Sequence, residues 1–126
     1  MNPQVLNATT LAYMGDVVWS LYVREYLISQ GLNKADRLQK QSVRFVSAKA
    51  QAKVYFYLES EQLLSEEELD VFKRGRNAKS NSTPKNTEMM TYRISTGFEA
   101  LIGYLYLNQQ HQRIKELFEI AKSLHR

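Results

Sequence analysis

The sequence predicts an all-α protein, and three observations carry that reading. Apolar residues recur at helical spacing along most of the chain. Period-two alternation between turn dipeptides, the mark of strands, is not sustained anywhere. Helix start and stop signals fall where the periodic runs begin and end. The expected architecture is a helical bundle.

The elements follow in order. Asn7, Thr9 or Thr10 is positioned to cap a first helix running to about Ser29, with Gly31 ending it. Leu11, Met14, Val18, Leu21 and Ile28 mark one face, but Tyr13, Val17, Trp19, Tyr22, Val23 and Tyr26 make the other faces apolar too. A helix apolar almost all round is covered on several sides, so this one is expected in the centre, at a subunit interface, or both. A second helical region is expected from about Lys34 to Leu58, its core face formed by Leu38, Val43, Phe45, Val46, Ala50, Val54 and Tyr57. Ser65-Glu66-Glu67-Glu68 reads as a capping box opening a short helix through Leu69 and Phe72. Arg76 to Asn86 lacks periodicity, contains Pro84, and is expected to be a loop. Thr87 is placed to cap a helix from Glu88 to about Asn108, and a last helix spans about His111 to Leu124. His111 and His125 are expected to be exposed and without a catalytic role.

A chain of 126 residues suits one domain over residues 1–126. No apolar run reaches the roughly 18 residues of a membrane span, and no signal peptide is visible after Met1-Asn2-Pro3-Gln4. The chain has no cysteine, which excludes disulfides, thiol catalysis and cysteine-ligated zinc and fits a cytoplasmic setting. The net charge of +4 is unevenly spread. Glu59 to Asp70 is acidic, whereas Lys73 to Lys85 carries Lys73, Arg74, Arg76, Lys79 and Lys85 with no acidic residue. Such a cluster points to a polyanion partner, or else to a solvated loop.

Two carboxylates stand out. Asp16 lies inside Leu11-Ala-Tyr-Met-Gly-Asp-Val-Val, and Glu99 inside Phe98-Glu-Ala-Leu-Ile-Gly. Asp is a poor residue for a helix interior, and Gly15 beside it costs roughly 1 kcal/mol more than Ala. Close approach of a second helix accounts for the glycine, and a metal ion or a buried hydrogen-bond partner accounts for the Asp. Thr96 and Gly103 leave room around Glu99, and Thr96 is a candidate to hold a metal-bound water. Folded side by side, the two helices would present Asp16 and Glu99 to one divalent cation. The alternative is a pair of buried carboxylates bonded to Tyr, Trp or Arg.

The two motifs, with Lys73-Arg-Gly-Arg-Asn-Ala-Lys-Ser80 and Pro84-Lys-Asn-Thr87 between them, resemble the catalytic domain of the ribonuclease III family, in particular its small Mini branch. The resemblance covers nearly the whole chain and implies a single catalytic domain with no separate RNA-binding domain. It implies an all-helical homodimer that cleaves double-stranded RNA with magnesium and matures the ends of large-subunit ribosomal RNA precursors. Asp16 and Glu99 fall on the family's essential carboxylates. Thr9, Ala12 and Thr96 stand where full-length enzymes carry further acidic residues, a reduced set that the Mini branch shares. Magnesium commonly takes only one or two protein carboxylates, with substrate phosphate completing its shell, so the reduced site is chemically reasonable.

Arg74, Arg76, Asn77, Lys79 and Lys85 are the candidate RNA contacts, since duplex RNA is read largely through phosphates and 2′-hydroxyls. Asn81 and Asn86, with Asn77, are placed to bond to 2′-hydroxyls or base edges, and Lys49 and Lys53 are weaker candidates. A duplex has two antiparallel strands, and a two-fold dimer places one site on each. Tyr13, Trp19 and Tyr22 are the candidate interface residues, and a ribosomal protein on the substrate is a further candidate partner. Two other readings stay open: a non-catalytic RNA-binding protein on the same fold, and a helical interaction module whose basic loop meets an acidic partner.

Overall fold

Six α-helices make up the fold in the computed structural model, which describes residues 1–78 and 87–125. They are α1 (Ala8–Ser29), α2 (Ala35–Val46), α3 (Ala48–Ser60), α4 (Glu66–Arg76), α5 (Thr87–Leu107) and α6 (His111–Leu124), after a short 3-10 turn at Pro3–Val5. There is no strand among the described residues, and no described helix is long and apolar enough to cross a membrane.

The caps expected for α1 and α4 are in place, whereas Thr87, expected to cap a helix from Glu88, is the first residue of α5. The Asn7 side chain accepts from the Thr10 amide at 2.8 Å and opens α1. Gly31, at φ +91°, closes it. The Gly31 amide donates to the Ile28 carbonyl and the Leu32 amide to the Leu27 carbonyl, the paired bonds of a Schellman motif. Ser65 and Glu68 form the capping box of α4. Glu68 also receives the Arg113 guanidinium through two bonds, at 2.8 and 2.9 Å, which tie α6 to α4. Burial pushes the Glu68 carboxyl up, but the Arg113 bonds and the capping-box bonds outweigh it and hold the group below its ordinary range.

α5 lies at the centre, packed against α1, α3, α4 and α6, with α1 its most extensive partner. Phe98, Leu101, Ile102 and Leu105 of α5 share the main core with Val18, Trp19 and Val23 of α1 and with Ile114 and Leu117 of α6. The Tyr55 and Phe72 rings stack at 3.6 Å between centroids, joining α3 to α4.

Three expectations are corrected. The helical region expected from Lys34 to Leu58, with a single core face, is two helices separated at Ser47. Ser47 is extended at ψ 154°, and its side chain caps α3 by accepting from the Ala50 amide at 3.2 Å. Val43 of α2 and Tyr57 of α3 point outward, while Gln51 and Tyr55 of α3 occupy the core. The two histidines are half-buried. His125 packs edge-on against Phe45, and His111 against Tyr106. Trp19, expected at a subunit interface, is 1% exposed. Its indole meets the Phe98 and Phe118 rings edge-on and donates to the Phe45 carbonyl at 3.3 Å, so it belongs to the monomer core.

Candidate active site

The site is built at the crossing of α1 and α5. A Cβ on Gly15 would stand 1.7 Å from the Glu99 carbonyl oxygen, and one on Gly103 would stand 1.9 Å from the Leu11 carbonyl oxygen. Two glycines thus let the helix backbones touch. The contact sets Asp16, the next residue on α1, against the Glu99 side chain. The two carboxyl groups lie within hydrogen-bonding range.

Burial and the neighbouring Asp16 carboxylate push the Glu99 carboxyl up to about 8. Glu99 has a second partner. The Gln51 carboxamide, on α3, donates from Nε2 to Glu99 Oε2 at 3.3 Å. The Ser95 hydroxyl, one turn before Glu99 on α5, donates to Gln51 Oε1 at 2.6 Å. Gln51 is 1% exposed. The pair therefore shows one carboxylate in solvent, one half-buried, and a neutral amide behind. Two hard oxygen donors facing each other, with their mutual repulsion raising one of them, suit a divalent cation of the magnesium or manganese kind. No group of three or more metal-ligating side chains occurs among the described residues.

The remaining candidates fall around this crossing. Thr96 donates its hydroxyl proton to the Tyr92 carbonyl at 3.0 Å, which leaves its oxygen as an acceptor only. Arg74, Arg76 and Asn77 are at the C-terminal end of α4. There Gly75 presses on Gly97 and Ala100 of α5, which lie within two residues of Glu99. Arg74 donates to the Leu6 carbonyl at 2.8 Å, and Arg76 lies over the Phe72 ring at 5.8 Å while bonding Asn77. Lys79 and Lys85 lie outside the described residues, as do Asn81 and Asn86. Tyr13 is 79% exposed, and Tyr22 is half-buried against Phe118. Gln51 and Ser95 are the site residues that sequence reasoning missed. The one signal was a polar residue between Ala50 and Ala52 in an apolar helical run.

The ribonuclease III domain model matches residues 9–110, which include both carboxylates. The chain belongs to the ribonuclease III family. It is 50% identical to the Mini-ribonuclease 3 of Brevibacillus brevis over 95% of this chain and 88% of that protein. It is 47% identical to the Mini-ribonuclease 3 of Enterococcus faecalis over 89% of this chain and 85% of that one. Among solved structures, a Fusobacterium nucleatum protein superposes with a TM-score of 0.83 at 31% identity, covering 94% of this chain and 93% of its own. Ribonuclease III enzymes cleave double-stranded RNA and are generally metal-dependent.

Proposed function

We propose that this chain is a magnesium-dependent endoribonuclease that cleaves double-stranded RNA as a homodimer and matures the ends of large-subunit ribosomal RNA precursors. The observation that carries the reading is the meeting of Asp16 and Glu99 across a glycine-mediated helix crossing. A purely structural pair would be neutralised by a cation of the protein. Here the first charge beside Glu99 is another carboxylate, and the amide that bonds it is neutral.

Asp16 and Glu99 would hold the magnesium ion, with substrate phosphate completing the shell. The ion, when bound, supplies neutralisation of charge at the phosphodiester and acidification of a water molecule. Asp16 is exposed on α1 and would be open to approaching RNA. Burial and the Asp16 charge push the Glu99 carboxyl up to about 8, and a bound cation would favour its ionised form. Its half-buried setting shields the carboxylate from bulk water and makes it the better proton acceptor during hydrolysis. Arg74, Arg76, Asn77, Lys79 and Lys85 would follow the RNA backbone, and Thr96 would accept from a water at the site.

The dimer reading rests on α1. Tyr13, Val17, Leu21 and Ile28 are exposed, at 79%, 59%, 49% and 61%, and the first three recur every fourth residue on one stripe beside Asp16. Burial of that stripe against a second copy would place two carboxylate pairs on one assembly, one for each strand.

The test is incubation with long duplex RNA, with and without magnesium, beside Asp16→Asn. Magnesium-dependent cleavage by the parent and loss by the variant are expected. No cleavage by the parent would favour a non-catalytic RNA-binding role on the same fold.

A further inference from the structure

Glu99 is held from behind by a group that belongs to neither of the motif helices' signature positions. Gln51 reaches it from α3, and Gln51 is itself among the most deeply buried side chains of the protein. Burying a primary amide among apolar residues costs free energy unless its hydrogen bonds are made. Two of them are visible, and both point at the site: Nε2 to Glu99 Oε2 at 3.3 Å, and Oε1 from Ser95 Oγ at 2.6 Å. The chemistry of the three groups fixes the direction of this chain. The Ser95 hydroxyl donates to the amide oxygen, which turns the amide N–H toward Glu99, the orientation that an ionised, cation-holding carboxylate requires because it only accepts. Ser95 and Glu99 sit one turn apart on α5, so the amide bridges two rungs of the same helix.

We infer that Gln51 is a positioning residue: clamped by Ser95, its carboxamide holds one oxygen of Glu99 and leaves the other turned toward Asp16 to receive the cation. The inference rests on the metal reading of the Asp16–Glu99 pair. A third carboxylate in the place of Gln51 would add negative charge to a half-buried site and raise the cost of the metal-free state. An apolar residue there would leave Glu99 free to rotate. The neutral amide orients the carboxylate at no cost in charge. Partners of this kind behind a metal ligand commonly matter by about 10–100-fold in metal affinity or activity.

The experiment uses the full chain and Mn²⁺ as the probe ion, its binding followed by electron paramagnetic resonance without RNA. Gln51→Leu keeps bulk and removes the amide, and Ser95→Ala keeps the amide and releases its clamp. Both variants are expected to fold, by circular dichroism, and to bind Mn²⁺ more weakly. The loss should be roughly 10-fold or more for Gln51→Leu and smaller for Ser95→Ala. The metal concentration at half-maximal cleavage should rise in parallel, with KM for duplex RNA unchanged at saturating metal. If Gln51→Leu fails to fold, Ser95→Ala carries the test, because that substitution removes only one hydroxyl. Parental Mn²⁺ affinity in the folded variants would overturn the inference, as would a loss confined to KM. Asp16→Asn separates the two levels. If it loses Mn²⁺ while Gln51→Leu and Ser95→Ala keep it, the positioning role alone falls. If the parent binds no Mn²⁺, the metal reading fails and the inference goes with it.

Discussion

Gly15 and the carbonyl of Glu99 are in backbone contact: a methyl group on Gly15 would stand 1.7 Å from that oxygen. Neither atom is a flexible side-chain end, so neither can move aside without moving a helix. The same contact that seals the core between α1 and α5 therefore sets the spacing of the two carboxylates. Gly15→Ala is expected to destabilise the protein by about 3 kcal/mol or more, at or beyond the upper end of ordinary overpacking. It should also lower cleavage, because separated helices carry Asp16 away from Glu99. Urea unfolding with parallel cleavage assays checks both, and parental stability in the variant would refute the close crossing.

Glu99 makes metal-free stability depend on pH in a definite direction. Its carboxyl is raised to about 8 in the fold from an ordinary value of 4.5. Below 4.5 both folded and unfolded chains carry the proton, and the stabilising term is complete. As pH rises toward about 8, the unfolded chain has lost the proton while the fold still holds it, so stability falls. Above that both are ionised and the cost is constant. Glu68, lowered by Arg113, works the opposite way, so the informative quantity is the difference between parent and Glu99→Gln. In chelator, that variant is expected to gain stability relative to the parent as pH rises from 5 to 9, by on the order of 2 kcal/mol. Adding a divalent cation should restore the parent but not the variant. Thermal melts across that pH series test the prediction, and a flat difference would contradict it.

The basic end of α4 is expected to serve RNA binding electrostatically. Replacing Arg74, Arg76 and Lys79 together by Gln should weaken duplex binding and flatten its dependence on salt. The log–log slope should fall by about one unit for each phosphate that the protein no longer neutralises. Arg74 also bonds the Leu6 carbonyl, so a single Arg74→Gln serves as a stability control. An unchanged slope in the triple variant would remove this segment from the RNA surface.

The exposed stripe of α1 leads to a prediction about mass in solution. The parent is expected to sediment as a dimer, and Val17→Asp as a monomer, because a charge at the centre of an apolar interface is left without a partner. Val17 is exposed in the single chain, so the substitution should leave the fold intact by circular dichroism. A parent that is monomeric at micromolar concentration would argue against the interface.

Much of the architecture is legible in the sequence. The helices, the Asn7 cap, the Gly31 stop and the Ser65–Glu68 capping box are local features, fixed by residues within a turn or two of each other. The glycine beside Asp16 already implies a close helix, and Gly-Asp with Phe-Glu-Ala-Leu-Ile-Gly points to the family. Other expectations fail where phase or environment decides. The expected helical region divides at the extended Ser47, and Gln51 rather than Tyr57 lies on the buried side of α3. Trp19 and Tyr13 lie on one helix and look alike as aromatic residues in an apolar stretch. One is enclosed by Phe45, Phe98 and Phe118, which arrive from three other helices, and the other meets none of them.

By itself, then, the order of residues determined an all-helical chain, its capped elements, and two carboxylates in surroundings that call for compensation. Those properties depend on neighbours along the chain, where periodicity and capping act. Only the tertiary structure decided which aromatic is core and which is surface, and that Gln51, Ser95 and Glu99 form one hydrogen-bonded line. Residues 44 or more positions apart meet there because helix packing brings them together, and no local rule of sequence encodes which side chain will stand behind which.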